Sequence, residues 1–319
     1  MCRSCADRAR RVWRFLTGDR KRTRRLLSIV FVLLALSAVT YVVARDWDSL
    51  VQFGWQLHWG QIGWALVFFP LGAYPTIYGW HLLVVGLGGP SSLVVNANAF
   101  VVSVLPRRLP GVVWYVGTRT LWYRERGVSS AIVLAATVLE TLTLGISGLL
   151  VYVVAAVVSE TLPLPDALYG AAGAAALVVC LLVSPVAMRW LSAKVRRGRW
   201  AADMRALDPL RALGVLAVYA VAWVNGGLFL YFLLAGIGGG IPVEAAIGTW
   251  ALAGAAGMFA SLVQGIGLKE LTMSAILGGF LPLSVAVGVA VLVRVVHTVA
   301  EGVFMLLVLP ILRVWTKRG

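Results

Sequence analysis

From Leu26 to Ala44 the chain runs for nineteen residues without a charged side chain, and long apolar runs return at Ile62–Leu87, Val128–Val158, Ala167–Met188, Leu210–Ile237 and Pro282–Leu312. About 20 apolar residues in helical form match the thickness of a bilayer's hydrocarbon core. Composition agrees. Of the 319 residues, 60% are hydrophobic and 13% are charged, whereas a soluble domain carries about 25% charged residues. The expected fold class is therefore an all-α integral membrane protein. The net charge of +15, from 28 Lys+Arg against 13 Asp+Glu, would suggest a nucleic-acid partner in a soluble chain. Here the bases collect between apolar runs. They read as topology signals and contacts for anionic lipid, and no nucleic-acid partner is expected.

Cys180 lies in an apolar run, and Cys2 and Cys5 sit on a basic tail. A zinc site needs a second ligand pair, and His58, His81 and His297 do not supply one nearby in sequence, so neither a disulfide framework nor a metal is expected. The first apolar run ends at Val43-Ala44-Arg45 without a small-x-small cleavage pattern, which suits a retained span.

Two further stretches are apolar but broken. Ser91–Leu121 is interrupted by Pro106-Arg107-Arg108-Leu109-Pro110-Gly111, and Val243–Gly279 by Gln264-Gly265-Ile266-Gly267-Leu268-Lys269-Glu270. Irregular backbone at membrane depth survives only where protein or a watery cavity satisfies it, so both stretches read as re-entrant helical hairpins. The first 25 residues hold ten of the bases, 119–126 three, 189–211 seven and 313–319 three. The positive-inside rule makes these segments cytoplasmic, with both termini inside a multi-pass plasma-membrane protein. Six full spans and two hairpins satisfy every loop.

Span, span, hairpin and span then occur twice. Starts at 62, 91 and 128 are answered at 210, 243 and 282, offsets of 148, 152 and 154 residues. The expected organisation is a cytoplasmic tail over 1–25, repeat one over 26–158 with hairpin 91–121, repeat two over 159–312 with hairpin 243–279, and a tail over 313–319. Each unit has three full crossings, so the copies must be inverted, as in secondary transporters.

Charges inside apolar runs are costly and mark function by default. Glu140 lies mid-run, with Thr137, Thr141 and Ser147 at helical spacings, while Arg294, His297, Thr298 and Glu301 form a stripe on the last run. Arg107 and Arg108 stand at one hairpin tip, Lys269 and Glu270 at the other. Glu140 and Arg294 occupy matching places and are expected to pair across the repeat axis. His81 reads as a satisfied buried histidine rather than a proton relay, and Asn96 and Asn98 as groups that hydrogen-bond either backbone or substrate. Asp46-Trp47-Asp48 resembles a metal-holding D-x-D pair, although a solvated loop accounts for it more simply.

The run Leu109-Pro110-Gly111-Val112-Val113-Trp114, then Gly117-x-Arg119, Arg124-x-Arg126-Gly127-Val128 and Leu139-Glu140, resembles the first block of the flippase-like membrane domain of lysylphosphatidylglycerol synthases. Gly265-Ile266-Gly267-Leu268-Lys269-Glu270, followed by Arg294, resembles the second, with Lys269 where that family usually has Arg. The resemblance implies a stand-alone lipid translocator without the soluble synthase domain, and not an enzyme. It implies lipid phosphate at Arg107, Arg108, Arg119, Lys269 and Arg294, a cationic head group or gating pairs at Glu140, Glu270, His297 and Glu301, and hairpin tips at Pro110, Gly111, Gly265 and Gly267. The expected partners are an anionic or phosphate-bearing membrane lipid and a separate lipid-modifying synthase, and no cofactor is expected. Two alternatives remain open: a membrane-embedded glycosyl- or aminoacyl-transferase using Asp46 and Asp48, and a partner that presents lipid without moving it. No P-loop is legible, so transport would be passive or driven by an ion gradient.

Overall fold

A computed structural model describes residues 41, 44–104, 106, 113–159, 161–162, 208–262 and 267–316. Every regular element among them is helical: α1 Trp47–Gln52, α2 Trp59–Gly86, α3 Leu93–Val104, α4 Val113–Arg124, α5 Ser130–Ser159, α6 Pro209–Gly236, α7 Val243–Leu262, α8 Leu268–Leu277 and α9 Leu283–Thr316. In hydrocarbon a helix satisfies its own backbone from within, which is why an apolar chain resolves into this one element type. Three helices are long and apolar enough to cross a membrane, at Ser130–Ser159, Leu210–Gly236 and Leu283–Leu312. α2 matches α6 in length at 28 residues, but carries Trp59, Trp64, Tyr74, Tyr78, Trp80 and His81 where α6 is more aliphatic. The expected spans Leu26–Ala44 and Ala167–Met188 lie outside the described residues, apart from Tyr41 and Ala44. α9 continues through Pro310 to Thr316, past the expected end of the last span at Leu312.

α2 and α6 pack side by side along their length, running in opposite directions. Ile62 meets Gly236, and Phe68 stacks on Phe232 with ring centroids 5.3 Å apart. Phe69 meets Phe229 at 6.3 Å, and a methyl group added at Gly79 would overlap the ring of Tyr219. Midway, a Cβ at Gly72 would lie 3.4 Å from the carbonyl oxygen of Ala222, the residue 150 positions along. Both helices end alike. Gly88 (φ +95°) and Gly238 (φ +85°) turn left-handed, a conformation free of Cβ strain only for glycine. The next N–H closes each cap, from Gly89 to the Val84 carbonyl at 2.8 Å and from Gly239 to the Leu234 carbonyl at 2.9 Å.

The broken stretches differ from each other. α3 and α4 have 12 residues each, so each is about 18 Å long, near half the hydrocarbon thickness. In the second stretch α7 has 20 residues and α8 has 10; α7, at about 30 Å, exceeds the half-crossing expected of a hairpin arm. The chain re-enters a helix after Gly267 (φ +101°), a left-handed position at the N-cap of α8.

The helices share a core in which Trp80, Tyr123, Tyr219, Phe229 and Leu230 are wholly enclosed. α5 packs on α6 and α7, while α9 packs on α8 and α3 and only lightly on α2 and α6. Half of the most apolar stretch of α5 is buried, whereas α9 is buried along one face from Ser284 to Val293 and lies largely unburied beyond Arg294.

Candidate functional site

Each short helix that follows a break is joined by an ion pair to the long helix after it. In the first unit Arg119 of α4 meets Glu140 of α5, with side chains 1% and 3% exposed. Nη1 donates to Oε2 at 2.5 Å and Nη2 to Oε1 at 3.3 Å, so both carboxylate oxygens are engaged. Nε donates to Ser103 Oγ at 2.9 Å. The guanidinium lies over the Trp80 ring at 3.9 Å and near those of Phe100 at 4.9 Å and Tyr115 at 5.5 Å. A buried charge is tolerated only when paired and hydrogen-bonded, and this one is both.

In the second unit the polarity is reversed. Arg294 of α9 donates through Nη1 to Glu270 Oε1 of α8 at 2.5 Å. Here the side chains are 51% and 23% exposed. Beside Glu270, Lys269 Nζ stands 4.1 Å from the centre of the Trp250 ring, a cation–π geometry. One turn beyond Arg294, His297 sits among the rings of Phe69, Trp250 and Phe229 at 5.1, 5.4 and 5.9 Å. Glu301 follows on the next turn, half-buried. The arrangement sets Lys269 and Glu270 of α8 and Arg294 of α9 beside an aromatic wall, where the exposed half of α9 begins.

The expected pair between Glu140 and Arg294 is not formed: Glu140 takes Arg119 and Arg294 takes Glu270. The cause is chain geometry. α4 turns back on α5, and α8 on α9, through short connections, so partners 21 and 24 residues apart meet first. Arg119, expected to hold lipid phosphate, has its guanidinium committed to Glu140 and Ser103 in this structure. The hydroxyls around Glu140 are committed as well. Thr137 donates to the Val133 carbonyl at 2.8 Å and Thr141 to that of Thr137 at 3.0 Å, while Ser147 Oγ accepts from Trp223 Nε1 at 3.0 Å. Arg107, Arg108, Pro110, Gly111 and Gly265 lie outside the described residues; Gly267 is the left-handed residue before α8.

The sequence gives no sign of a polar relay that ties α2, α3 and α4 together. Trp80 Nε1 donates to Tyr123 Oη at 3.0 Å, and Tyr123 Oη donates to Asn96 Oδ1 at 2.7 Å. Asn96 Nδ2 donates to the Pro90 carbonyl at 2.8 Å and lies 2.9 Å from His81 Nδ1. Trp80, Ser103 and Tyr123 stand among apolar residues, where only the rule that a buried donor needs an acceptor could have marked them. Asn98, by contrast, is buried with neither amide atom hydrogen-bonded.

Asp46 has a structural task. Its Oδ2 accepts from Ser284 Oγ at 2.8 Å and from the Ser284 N–H at 3.5 Å, and its Oδ1 accepts from Ser49 Oγ at 2.5 Å. The carboxylate so caps the first turn of α9, where orphan N–H groups favour an anion. The Ser49 and Ser284 hydrogen bonds hold its pKa below the ordinary value. Among the described residues no three His, Cys, Asp or Glu side chains gather as a metal site would require.

No curated protein matches the chain at a significant level. The pattern of the lysylphosphatidylglycerol synthase TM region matches residues 23–303, which takes in both ion pairs and every described helix up to most of α9. An all-helical membrane protein with these pairs inside that match, the chain belongs to the lysylphosphatidylglycerol synthase TM region family.

Proposed function

We propose that the protein moves a phosphate-bearing lipid, such as an aminoacyl-phosphatidylglycerol or a polyprenyl-phosphate-linked lipid, between the leaflets of the plasma membrane without altering it chemically. The family supports a lipid-related role. The observation that carries the reading is the Arg294–Glu270 pair, about 17 Å along α9 at a helical rise of 1.5 Å per residue. An ion pair open to the side at that depth is costly in lipid and gains its use from a polar guest. A guanidinium takes a phosphate bidentately, and the adjoining carboxylate is then released to a cationic head group.

The same reading holds that six spans and two re-entrant hairpins form an inverted repeat with both termini in the cytoplasm. In its support, exchanging α2 with α6, α3 with α7, α4 with α8 and α5 with α9 turns each main packing contact between these helices into another one of the set. Gly72 facing Ala222, and the matched glycine caps, mark the same exchange. Arg107 and Arg108, at the first tip, would receive the phosphate on the other side, and Lys269 would hold it beside Arg294. A separate lipid-modifying synthase would supply or consume the lipid.

Proteoliposomes carrying fluorescent phosphatidylglycerol test this. A membrane-impermeant quencher should bleach only the outer-leaflet share in empty vesicles and nearly all of the dye when the protein is present. Bleaching no greater than in empty vesicles, across anionic, zwitterionic and polyprenyl-phosphate probes, would exclude translocation.

A further inference from the structure

Glu140 and Arg294 each have a glycine eight residues on, Gly148 and Gly302. Their surroundings are opposite. A Cβ at Gly148 would lie 3.1 Å from the Ala251 carbonyl oxygen, 3.1 Å from the Trp223 indole and 3.2 Å from the Ala255 methyl, whereas among the described residues nothing lies within 4 Å of one at Gly302. Gly148 is where α5 comes against the α7 backbone at Ala251 and the Trp223 ring of α6. Gly302 is the corresponding place on α9, and no described residue faces it at that range.

Three further differences run the same way. The ion pair of the first unit is enclosed and that of the second is open. α5 is half buried, whereas α9 is buried along one face only as far as Val293 and is largely unburied beyond Arg294. Finally, α9 reaches α2 through ring edges rather than backbone. Phe304 meets Phe69 at 6.1 Å and Tyr74 at 5.5 Å, with interplanar angles of 72° and 73°. Edge contacts of this kind between rotatable side chains re-pack without moving a helix backbone out of register. As far as Val293 α9 is held by the Asp46–Ser284 cap and by its packing on α8 and α3, so a swing belongs to the half beyond Arg294, where Gly302 lies.

We propose that α9 is a lateral gate with a second, closed position, in which Gly302 lies against α2 and α3 as Gly148 lies against α6 and α7. In that position the Glu270–Arg294 pair is enclosed as Arg119–Glu140 is now. The proposal rests on the translocator reading and extends it: the structure is the state with the α5 side shut and the α9 side open to lipid.

The test uses the full-length chain in liposomes, with Cys2, Cys5 and Cys180 replaced by Ser and spin labels at Leu71→Cys on α2 and Val299→Cys on α9, both exposed. Pulsed dipolar spectroscopy should return two distance populations. Gly302→Leu adds a side chain where nothing lies within 4 Å, so it should fold normally. It should nevertheless remove the shorter population and slow lipid movement by about tenfold or more. Gly214→Leu, at another helical glycine with nothing within 4 Å, should change neither. A single population indifferent to Gly302→Leu overturns the gate, as does undiminished lipid movement in that variant. The two readouts separate the ideas. Two populations without lipid movement would keep the gate and defeat translocation; lipid movement with one population would do the reverse.

Discussion

Arg119 and Lys269 stand 150 residues apart, and each is the cation that a short helix lays over an aromatic ring of the helix before it. The rings, Phe100 and Trp250, are also 150 residues apart. What differs is the charge that the following long helix brings up. Glu140 neutralises Arg119 directly, whereas Arg294 repeats the sign of Lys269 and is answered by Glu270 instead. One pair therefore closes on a single cation, and the other has a second cation, Lys269, close beside it.

The enclosed pair should be the more costly to break. Glu140→Ala strands a guanidinium in the core and should destabilise the protein by roughly 3–5 kcal/mol, read as thermal unfolding in detergent. The double change Arg119→Met with Glu140→Leu removes both charges and should recover most of that loss. A double variant as unstable as the single would mean that packing, and not charge, is what Glu140 supplies.

The open pair should behave in the opposite way. With Arg294 half exposed, Arg294→Gln should cost about 1 kcal/mol or less, yet lower lipid movement in vesicles sharply. Reversing the pair, Glu270→Arg with Arg294→Glu, should leave the melting temperature in place without restoring transport. Full transport by the reversed pair would reduce it to a fastening.

Tyr123→Phe deletes one hydroxyl that both accepts from Trp80 and donates to Asn96. The indole N–H and the amide oxygen then lose their partner inside the core, at about 1–3 kcal/mol for a buried unsatisfied group. A loss no larger than that of an ordinary surface substitution would show that other groups take up both partners.

Asp46 carries a pH dependence. Its folded pKa lies below that of an ordinary aspartate, chiefly through the Ser49 hydroxyl and then that of Ser284. A depressed carboxyl contributes stability that is complete above the unfolded value and is lost as pH falls through the folded one. Hydrogen exchange in the first turn of α9 should therefore quicken below about pH 4 relative to the intrinsic rate, and Asp46→Asn should quicken it at neutral pH and remove the acid step. Exchange that follows the intrinsic rate throughout would argue against the cap.

Orientation is checked by labelling. In a chain with its three native cysteines replaced, Pro163→Cys and Gly240→Cys should react with an impermeant thiol reagent from outside intact cells, and Gly198→Cys should not. Labelling at 198 would invert the proposed topology.

The helical class and the charged positions Glu140, Glu270 and Arg294 were legible in the sequence because hydrocarbon is an unforgiving solvent: a charge inside an apolar run stands out, and so does a break. Who pairs with whom was not. Arg119 and Arg294 carry the same sign, and the choice between them is made by the short turn at Gly127 that folds α4 back on α5. The enclosed tyrosine relay was hidden for a related reason, since Trp80 and Tyr123 count as bulk in any reading of apolar pattern while their single polar atoms decide the packing. Asp46 looked like one half of an acidic pair; its partner, Ser284, is an unremarked hydroxyl at the far end of the chain.

That distance has a consequence for how the protein is made. Asp46 leaves the ribosome early and Ser284 late, 238 residues afterwards. A bond between residues so far apart in sequence forms only after the intervening chain has been threaded into the membrane. Until then Asp46 has no helix to cap, and α9 enters the bilayer after the helices before it. Chains interrupted before Leu283 lack this clasp altogether, a structural difference that quality control in the cell can read.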